Sequence, residues 1–368
     1  MYKNLVAAIA AACFLSPFVS IASEPAKPAV KSADAKPVKA AFVYVTPVLE
    51  AGWTRQHDEG RKAVEKALGN AVKTTVVANV AEGADSERVV RDLAQQGHDI
   101  IFTTSFGYME PTLKVAKEFP NVKFESITGY KTDANVAVAN ALYFEGRYLA
   151  GVAAGRMTQS NVAGYVAGFP IPEVLQGLNA FTLGMRSVNP KATVKVVWLN
   201  AWFDPPKERE AAMALFNQEV DVIAFHTGST AVMAAAQERG KMAVAYHSDM
   251  RKVGPDAQII AVTHQWGDYY TARVKAAMAG TWTSGSVWGG VKDGMIRVGD
   301  FGPKVPKAVQ DEILARQKAV GTGKLLPFAG PITDNEGKAV LPAGQALTDA
   351  QILNMNYLVQ GVIGRVTR

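Results

Sequence analysis

The chain has 368 residues, of which 48% are apolar and 20% charged, with a formal net charge of +6 and one cysteine. One cysteine excludes a disulfide scaffold, and charges that alternate in sign, as in Asp58-Glu59-Gly60-Arg61-Lys62, make a solvated surface rather than a nucleic-acid footprint. A chain this long exceeds what one core usually organises, so two lobes are expected.

Met1 to Asn4 give a short positive start, Leu5 to Ile21 is apolar, and Ser20-Ile21-Ala22 offers the small residues that a signal peptidase reads. A membrane anchor wants roughly 20 uninterrupted apolar residues; Ser16, Pro17 and Ser20 interrupt this one. Residues 1–22 are therefore expected to be a cleaved export signal. The Ala-Ala-Ala before Cys13 is similar to a lipoprotein cleavage box, but so few residues precede it that lipidation ranks second. Cleavage near Ala22 removes the only cysteine, leaving no thiolate or cysteine metal site. Residues 23–38, with Pro25, Pro28 and Pro37 among alanines and lysines, have nothing to bury and read as a flexible leader.

From Lys39 the pattern predicts a buried strand, a loop holding Trp53, and an amphipathic helix running to Leu68. A strand at 76–80 precedes a helix at about 85–96, a strand at 99–103 precedes a helix at about 110–118, and a strand at 122–127 closes the series. Short β-rich runs separated by helices mean βαβ crossovers and a parallel sheet covered on both faces. After a helix at about 145–157 the pattern restarts: a strand at 162–166, a helix at 172–188, and strands at 194–199 and 220–225, each followed by a helix. The expected architecture is α/β with two Rossmann-like lobes and a cleft between them. Residues 39–158 plus about 285–335 are assigned to the N-terminal lobe, and 159–284 plus about 340–368 to the C-terminal lobe. Gly/Pro clusters at 168–172 and 285–290 mark turns or crossings between lobes.

Several chemistries are excluded by motif. Gly321-Thr322-Gly323-Lys324-Leu325 lacks the magnesium-holding hydroxyl and the upstream glycine of a nucleotide-hydrolysing loop. Thr46 to Glu50 stands where a dinucleotide fold needs its glycines, and no Gly-x-Ser-x-Gly elbow occurs. The five histidines show no close ligand spacing. His226, His247 and His264 all follow strands and could converge, but hydrogen bonding at a polar cleft is the ordinary reading, and no metal or cofactor is expected.

In open α/β sheets ligands sit outside the carboxyl ends of the strands. The loops there carry Trp53 with His57 and Asp58; Ser105 with Phe106; Gly168-Phe169-Pro170; Asn200-Ala201-Trp202-Phe203-Asp204; Thr227-Gly228-Ser229-Thr230; His247-Ser248-Asp249; and Gln265-Trp266-Gly267-Asp268. Each tryptophan taken alone could simply pack under a loop. Three of them at one mouth, with Asp and Asn nearby, suit a flat, π-rich, neutral ligand, since stacking contributes about 0.5 to 1.5 kcal/mol per aromatic pair beyond burial. Trp198, Trp282 and Trp288 are assigned to packing.

Three stretches, Pro120 to Phe124, Glu145 to Ala154 (Glu-Gly-Arg-Tyr-Leu-Ala-Gly-Val-Ala-Ala) and Gly164 to Pro172 (Gly-Tyr-Val-Ala-Gly-Phe-Pro-Ile-Pro), carry a resemblance. Over about residues 40–330 the chain resembles the basic membrane protein family of substrate-binding components of bacterial ABC importers, whose best-known members bind purine nucleosides. The resemblance implies a type I periplasmic binding protein fold, two lobes joined by a hinge, a small-molecule purine ligand, an inner-membrane permease as partner, a periplasmic monomer, no nucleic acid and no catalysis. It places Trp53 and Trp202 at the family's two stacking positions, each commonly phenylalanine, and matches Asp249 to an aspartate that contacts ribose. The family's lysine after the next strand is absent, Gln265 or Trp266 standing there, and the first-loop asparagine of nucleoside binders is missing.

These departures favour a free, adenine-like base over a nucleoside. The expected site is Trp53 and Trp202 as the sandwich, Asp249 or Asn200 reading a ring edge, Trp266 filling the ribose space, and Gly228, Phe106 and Asp204 completing the lining. A nucleoside binder of the same transport class is the alternative. Less favoured are a nucleoside hydrolase using Asp58, Asp204 or Asp249, whose acids lie in separate loops, and a sensor lobe reporting to a membrane receptor.

Overall fold

A computed structural model describes residues 36–366; the calls on the export signal, on Cys13 and on the leader up to residue 35 lie outside them. The first α/β series is β1 (Val38–Val43), α1 (Trp53–Leu68), β2 (Val72–Val77), α2 (Ala84–Gln95), β3 (Ile100–Thr103), α3 (Met109–Glu118), β4 (Lys123–Ile127) and β5 (Val136–Ala141). The second is α4 (Tyr143–Met157), β6 (Val162–Ala167), α5 (Pro172–Val188), β7 (Thr193–Trp198), α6 (Pro205–Phe216), β8 (Val222–His226), α7 (Ala231–Glu238), β9 (Met242–His247) and β10 (Gln258–His264). Then come α8 (Gly267–Met278), β11 (Ser286–Gly289), β12 (Ile296–Gly299), α9 (Lys307–Gly321), β13 (Ile332–Thr333), β14 (Ala339–Leu341), α10 (Asp349–Leu353) and β15 (Val362–Ile363).

The strands form a six-stranded sheet, β11-β5-β4-β3-β1-β2, and a seven-stranded sheet, β12-β10-β9-β8-β6-β7-β15. Within these two sheets pairing is parallel except where β12 runs antiparallel to β10, and β13 and β14 form a separate antiparallel pair. The central strands are apolar on both faces, as β1, β3 and β8 show, because helices cover both sides of each sheet. Both sheets have the doubly wound order in which the second strand lies outside the first and the third on its other side. Each therefore has a switch point, between β1 and β3 and between β6 and β8, where loops diverge and leave a crevice.

The chain passes between the sheets near Leu142, at Gln265–Trp266 and at 290–295. These crossings hold one another: Leu142 N–H donates to Gly289 O at 2.8 Å, Gln265 N–H to Met295 O at 2.8 Å, and Met295 N–H to Gly290 O at 3.0 Å. Their positions move the expected lobe boundaries, because a helix that follows a crossing packs on the sheet it has reached. Thus α4 packs on α5 and β10, and residues 143–158 go with the second sheet, whereas α8 packs on α1 and β1 and goes with the first. The segment 285–335 divides, since β11 pairs with β5 and β12 with β10. β2 lies earlier than the expected 76–80 because it is a half-exposed edge strand with Lys73, Thr74 and Thr75 in it, and Asn79, at φ 59°, turns the chain beyond its end. Trp53 opens α1 rather than sitting in a loop.

Among the described residues, no helix is long and apolar enough to cross a membrane.

Candidate functional site in the cleft between the sheets

The two switch points face each other across an inner cavity of about 50 Å³, walled by Trp53, Phe106, Trp202, Glu173, His226 and His247, with Gly228 at its edge. Through Phe106, Thr128 and Glu173 it adjoins an outer chamber of about 600 Å³, which Asn140, Gln176, Trp288 and Asn354 also line. Four of the expected site residues, Trp53, Trp202, Phe106 and Gly228, therefore meet at one cavity.

The first wall is built on β1 and β3. Trp53 is anchored by its indole N–H, which donates to Thr104 O at 2.8 Å at the end of β3. Behind it lies a buried layer of rings: His57 at 4.3 Å, His247 at 5.2 Å and His264 at 5.1 Å between centroids, all edge-on or tilted. The hydrogen bonds fix the tautomers in this layer. Trp266 N–H donates to His264 Nδ1 at 2.5 Å, so His264 carries its proton on Nε2 and gives it to His247 Nδ1 at 3.0 Å. Burial, then the neighbouring His226, lowers the pKa of His264 to about 3; burial and His264 hold His57 well below the ordinary imidazole range. His247 is held well below it by burial first, then by its histidine neighbours and Arg147.

The second wall is built on β6 and β8. Trp202 sits against Gly168, where an added Cβ would meet its ring at 2.7 Å, and lies edge-on to Phe169 at 4.9 Å. Gly228 N–H donates to Trp202 O at 2.7 Å. The loop carrying Gly228 is held from below by buried Glu208, which accepts from Thr227 Oγ1 at 2.8 Å and Ser229 Oγ at 2.6 Å; burial raises its pKa. The walls touch at Gly52: its N–H donates to Ser248 Oγ at 3.1 Å, and at φ 101° an added Cβ would lie 2.6 Å from Gly228 O.

Beneath the cavity lies Arg147, fully buried on α4. Its guanidinium sits over the Tyr246 ring at 3.2 Å from the centroid, and its Nη2 donates to Phe225 O at 2.5 Å. No acidic side chain among the described residues pairs with it, and its Nε and Nη1 have no hydrogen-bond partner. Tyr246 lies between Arg147 and His226, whose ring is 4.9 Å away. Burial lowers the His226 pKa, with Arg147 adding to that and Glu173 opposing it.

Four expected site residues lie elsewhere. His247 takes φ 70°, which turns Ser248 toward Gly52 and leaves Asp249 outside, bound to Arg251 at 2.7 Å and to Gln258 Nε2 at 2.9 Å. Asn200, at φ 53°, is exposed, its backbone N–H tied to Gly168 O at 2.9 Å. Asp204 caps α6, accepting from Lys207 N at 3.2 Å and pairing with Lys207 Nζ at 2.8 Å. Trp266 is 1% exposed, stacked on Tyr270 at 5.6 Å, and orients His264 instead of filling ligand space. Trp288, expected to pack, lies against Phe144 at 6.0 Å between ring centroids and also lines the outer chamber.

Sequence reasoning missed Glu173, which stands in the first turn of α5 with Pro172 ahead of it. An acidic residue there reads as ordinary helix-dipole complement; its place just after the Gly168-to-Pro172 turn was the available signal. His226, His247 and His264 do converge, but as a hydrogen-bonded and aromatic layer. Among the described residues no group of His, Cys, Asp or Glu has the arrangement to hold a metal ion.

With this geometry in view, the chain matches, over residues 37–336, the Bmp family described as ABC transporter substrate-binding protein, PnrA-like. It is 49% identical over 327 residues, 88% of this chain and 93% of the relative, to a purine-binding protein of Brucella abortus. It is 38% identical over 329 residues, 89% of this chain and 81% of the relative, to a putative ABC transporter glucose-binding protein of Haloferax volcanii. In fold it is similar to an ABC transporter solute-binding protein from Conexibacter woesei, with a TM-score of 0.64 at 20% identity over 78% of this chain and 98% of that one. A solute-binding protein from Aeropyrum pernix aligns with a TM-score of 0.65 at 20% identity over 80% and 94%. The fold is that of a type I periplasmic solute-binding protein. The chain belongs to the Bmp family of ABC transporter substrate-binding proteins, a family of binding proteins rather than enzymes.

Proposed function

We propose that this protein captures a purine base, adenine-like, by stacking it between Trp53 and Trp202, and delivers it as a periplasmic monomer to an inner-membrane permease after export by a cleaved signal. The observation that carries the reading is the inner cavity itself. Both tryptophans line it, and among the described residues neither has another aromatic ring stacked parallel on it, an arrangement that supports stacking by a flat ligand. The purine-binding name of the Brucella relative supports the ligand class. The cavity's narrowness supports a single planar ring system, and closure of the two lobes around it would gate release.

The outer chamber favours one second reading, a purine nucleoside with its sugar there, because Trp266 does not fill that space. A sugar alone, as the Haloferax relative's name suggests for that protein, fits less well, since Glu173 is the one acidic side chain on an otherwise largely apolar inner wall. Hydrolysis is disfavoured because Asp58 is bound to Arg61 at 2.8 Å, Asp204 to Lys207 and Asp249 to Arg251, each away from the others.

Calorimetry with adenine, guanine, hypoxanthine, adenosine, guanosine and glucose tests the reading. Adenine is expected to bind tightest. Much tighter binding of adenosine replaces the base by the nucleoside, and binding of glucose alone overturns the purine assignment.

A further inference from the structure

We propose that Glu173 decides which purines bind, by accepting the ring N–H of the ligand's five-membered ring and so rejecting purines substituted at N9. This rests on the purine reading above. Glu173 stands at the threshold of the inner cavity and the outer chamber, lining both. Its carboxylate is held in place: Oε2 accepts from Asn140 Nδ2 at 3.0 Å, and Oε1 lies 3.6 Å from His226 Nε2. Among the described residues no lysine or arginine pairs with it, so each oxygen keeps a lone pair for a ligand. The position itself is fixed by backbone, because Pro172 presets the first turn of α5 and Ile171 holds the extended conformation before it.

Ligand chemistry supplies the other half. Adenine has one ring N–H, on the five-membered ring, while its remaining ring nitrogens are acceptors that a carboxylate repels. In adenosine, or in 9-methyladenine, that N–H is replaced by a C–N bond and no ring N–H remains. The 6-amino group stays a donor in all of these but lies on the edge away from N9, so with N9 turned to Glu173 a partly buried acceptor faces no donor in the substituted purine, and a site built to hydrogen-bond a ligand N–H discriminates strongly against the analogue that lacks it. The outer chamber has the volume for a substituent, but Glu173 at its entrance penalises the bond that attaches one. Base-over-nucleoside selection is thus assigned to a carboxylate at the threshold and not to Trp266.

The test is a pair of titrations, adenine and 9-methyladenine, into the wild-type protein and into the Glu173→Gln and Glu173→Ala variants. Wild type is expected to bind adenine at least about 30-fold tighter than 9-methyladenine, and in Glu173→Ala that ratio is expected to fall to within about threefold. Glu173→Gln, which keeps the shape and one acceptor, is expected to lie between. Equal binding of the two ligands by wild type overturns the role of Glu173 while leaving the purine reading intact, and needs no variant to fold. An unchanged ratio in Glu173→Ala overturns it as well. Failure of wild type to bind either ligand instead removes the adenine reading, and this inference with it.

Discussion

The two walls of the cleft carry equivalent tryptophans on different foundations. Trp53 opens a helix, has its indole N–H bonded to the end of β3, and is backed by a layer of fully buried rings whose tautomers are fixed by hydrogen bonds. Trp202 lies in an irregular loop, seated in the notch left by Gly168 and edge-on to Phe169. A ring held by strand, helix and core loses little freedom when a ligand arrives; a ring on a loop loses more, and its net contribution is smaller for the same contact area. One wall is a fixed plate and the other an adjustable one.

Replacement of the plate should therefore cost most. Trp53→Ala is expected to weaken adenine binding by about 3 kcal/mol, roughly 100-fold or more, and Trp202→Ala by about 2 kcal/mol, both read by calorimetry. Equal losses would break the comparison between the walls. Next is Gly52→Ala, whose Cβ would press on Gly228 O where the two walls meet. It is expected to weaken ligand binding and, because φ 101° strains any residue with a Cβ, also to lower the stability of the protein by about 1 to 3 kcal/mol, read by denaturant unfolding.

The plate's backing also sets an acid limit. His57, His226, His247 and His264 have native pKa values below their unfolded value, so above about pH 6.5 their protonation costs nothing. Below it the unfolded chain binds protons that the native chain refuses, and their contribution to stability falls with pH, for His264 down to about pH 3. Glu145, raised to about 7 by burial, acts in the opposite sense over its own range, so the clean readout is a difference. The denaturant-unfolding free energy of His264→Gln should fall less steeply than that of wild type between pH 6 and 4, by about 1.4 kcal/mol per pH unit. The smallest effect expected is from Asp249→Ala, which removes a side chain bound to Arg251 outside the cavity and should change adenine affinity less than twofold.

The sequence carried much of the fold because alternation of apolar strands with helices is a local signal; α5 begins and ends where Pro172 and the apolar period place it. The Ala-rich strand β5 and the edge strand β2 were harder, the first for want of bulky residues and the second because its outer face is polar. Strand-end tryptophans were legible as cavity-lining residues because the position after a parallel strand is itself informative. Direction was not legible: positive φ at Asn200 and His247 turns Asn200 and Asp249 out of the cleft, and no spacing rule records that rotation. Nor does composition tell a tryptophan that lines the cavity from one, Trp266, that orients a histidine from within the core.

The most direct measurement is the structure of the protein saturated with adenine. The base is predicted to lie between the Trp53 and Trp202 rings, with carbon contacts of about 3.5 to 4 Å to both. A ligand seated wholly in the outer chamber, or touching neither indole face, would contradict the account.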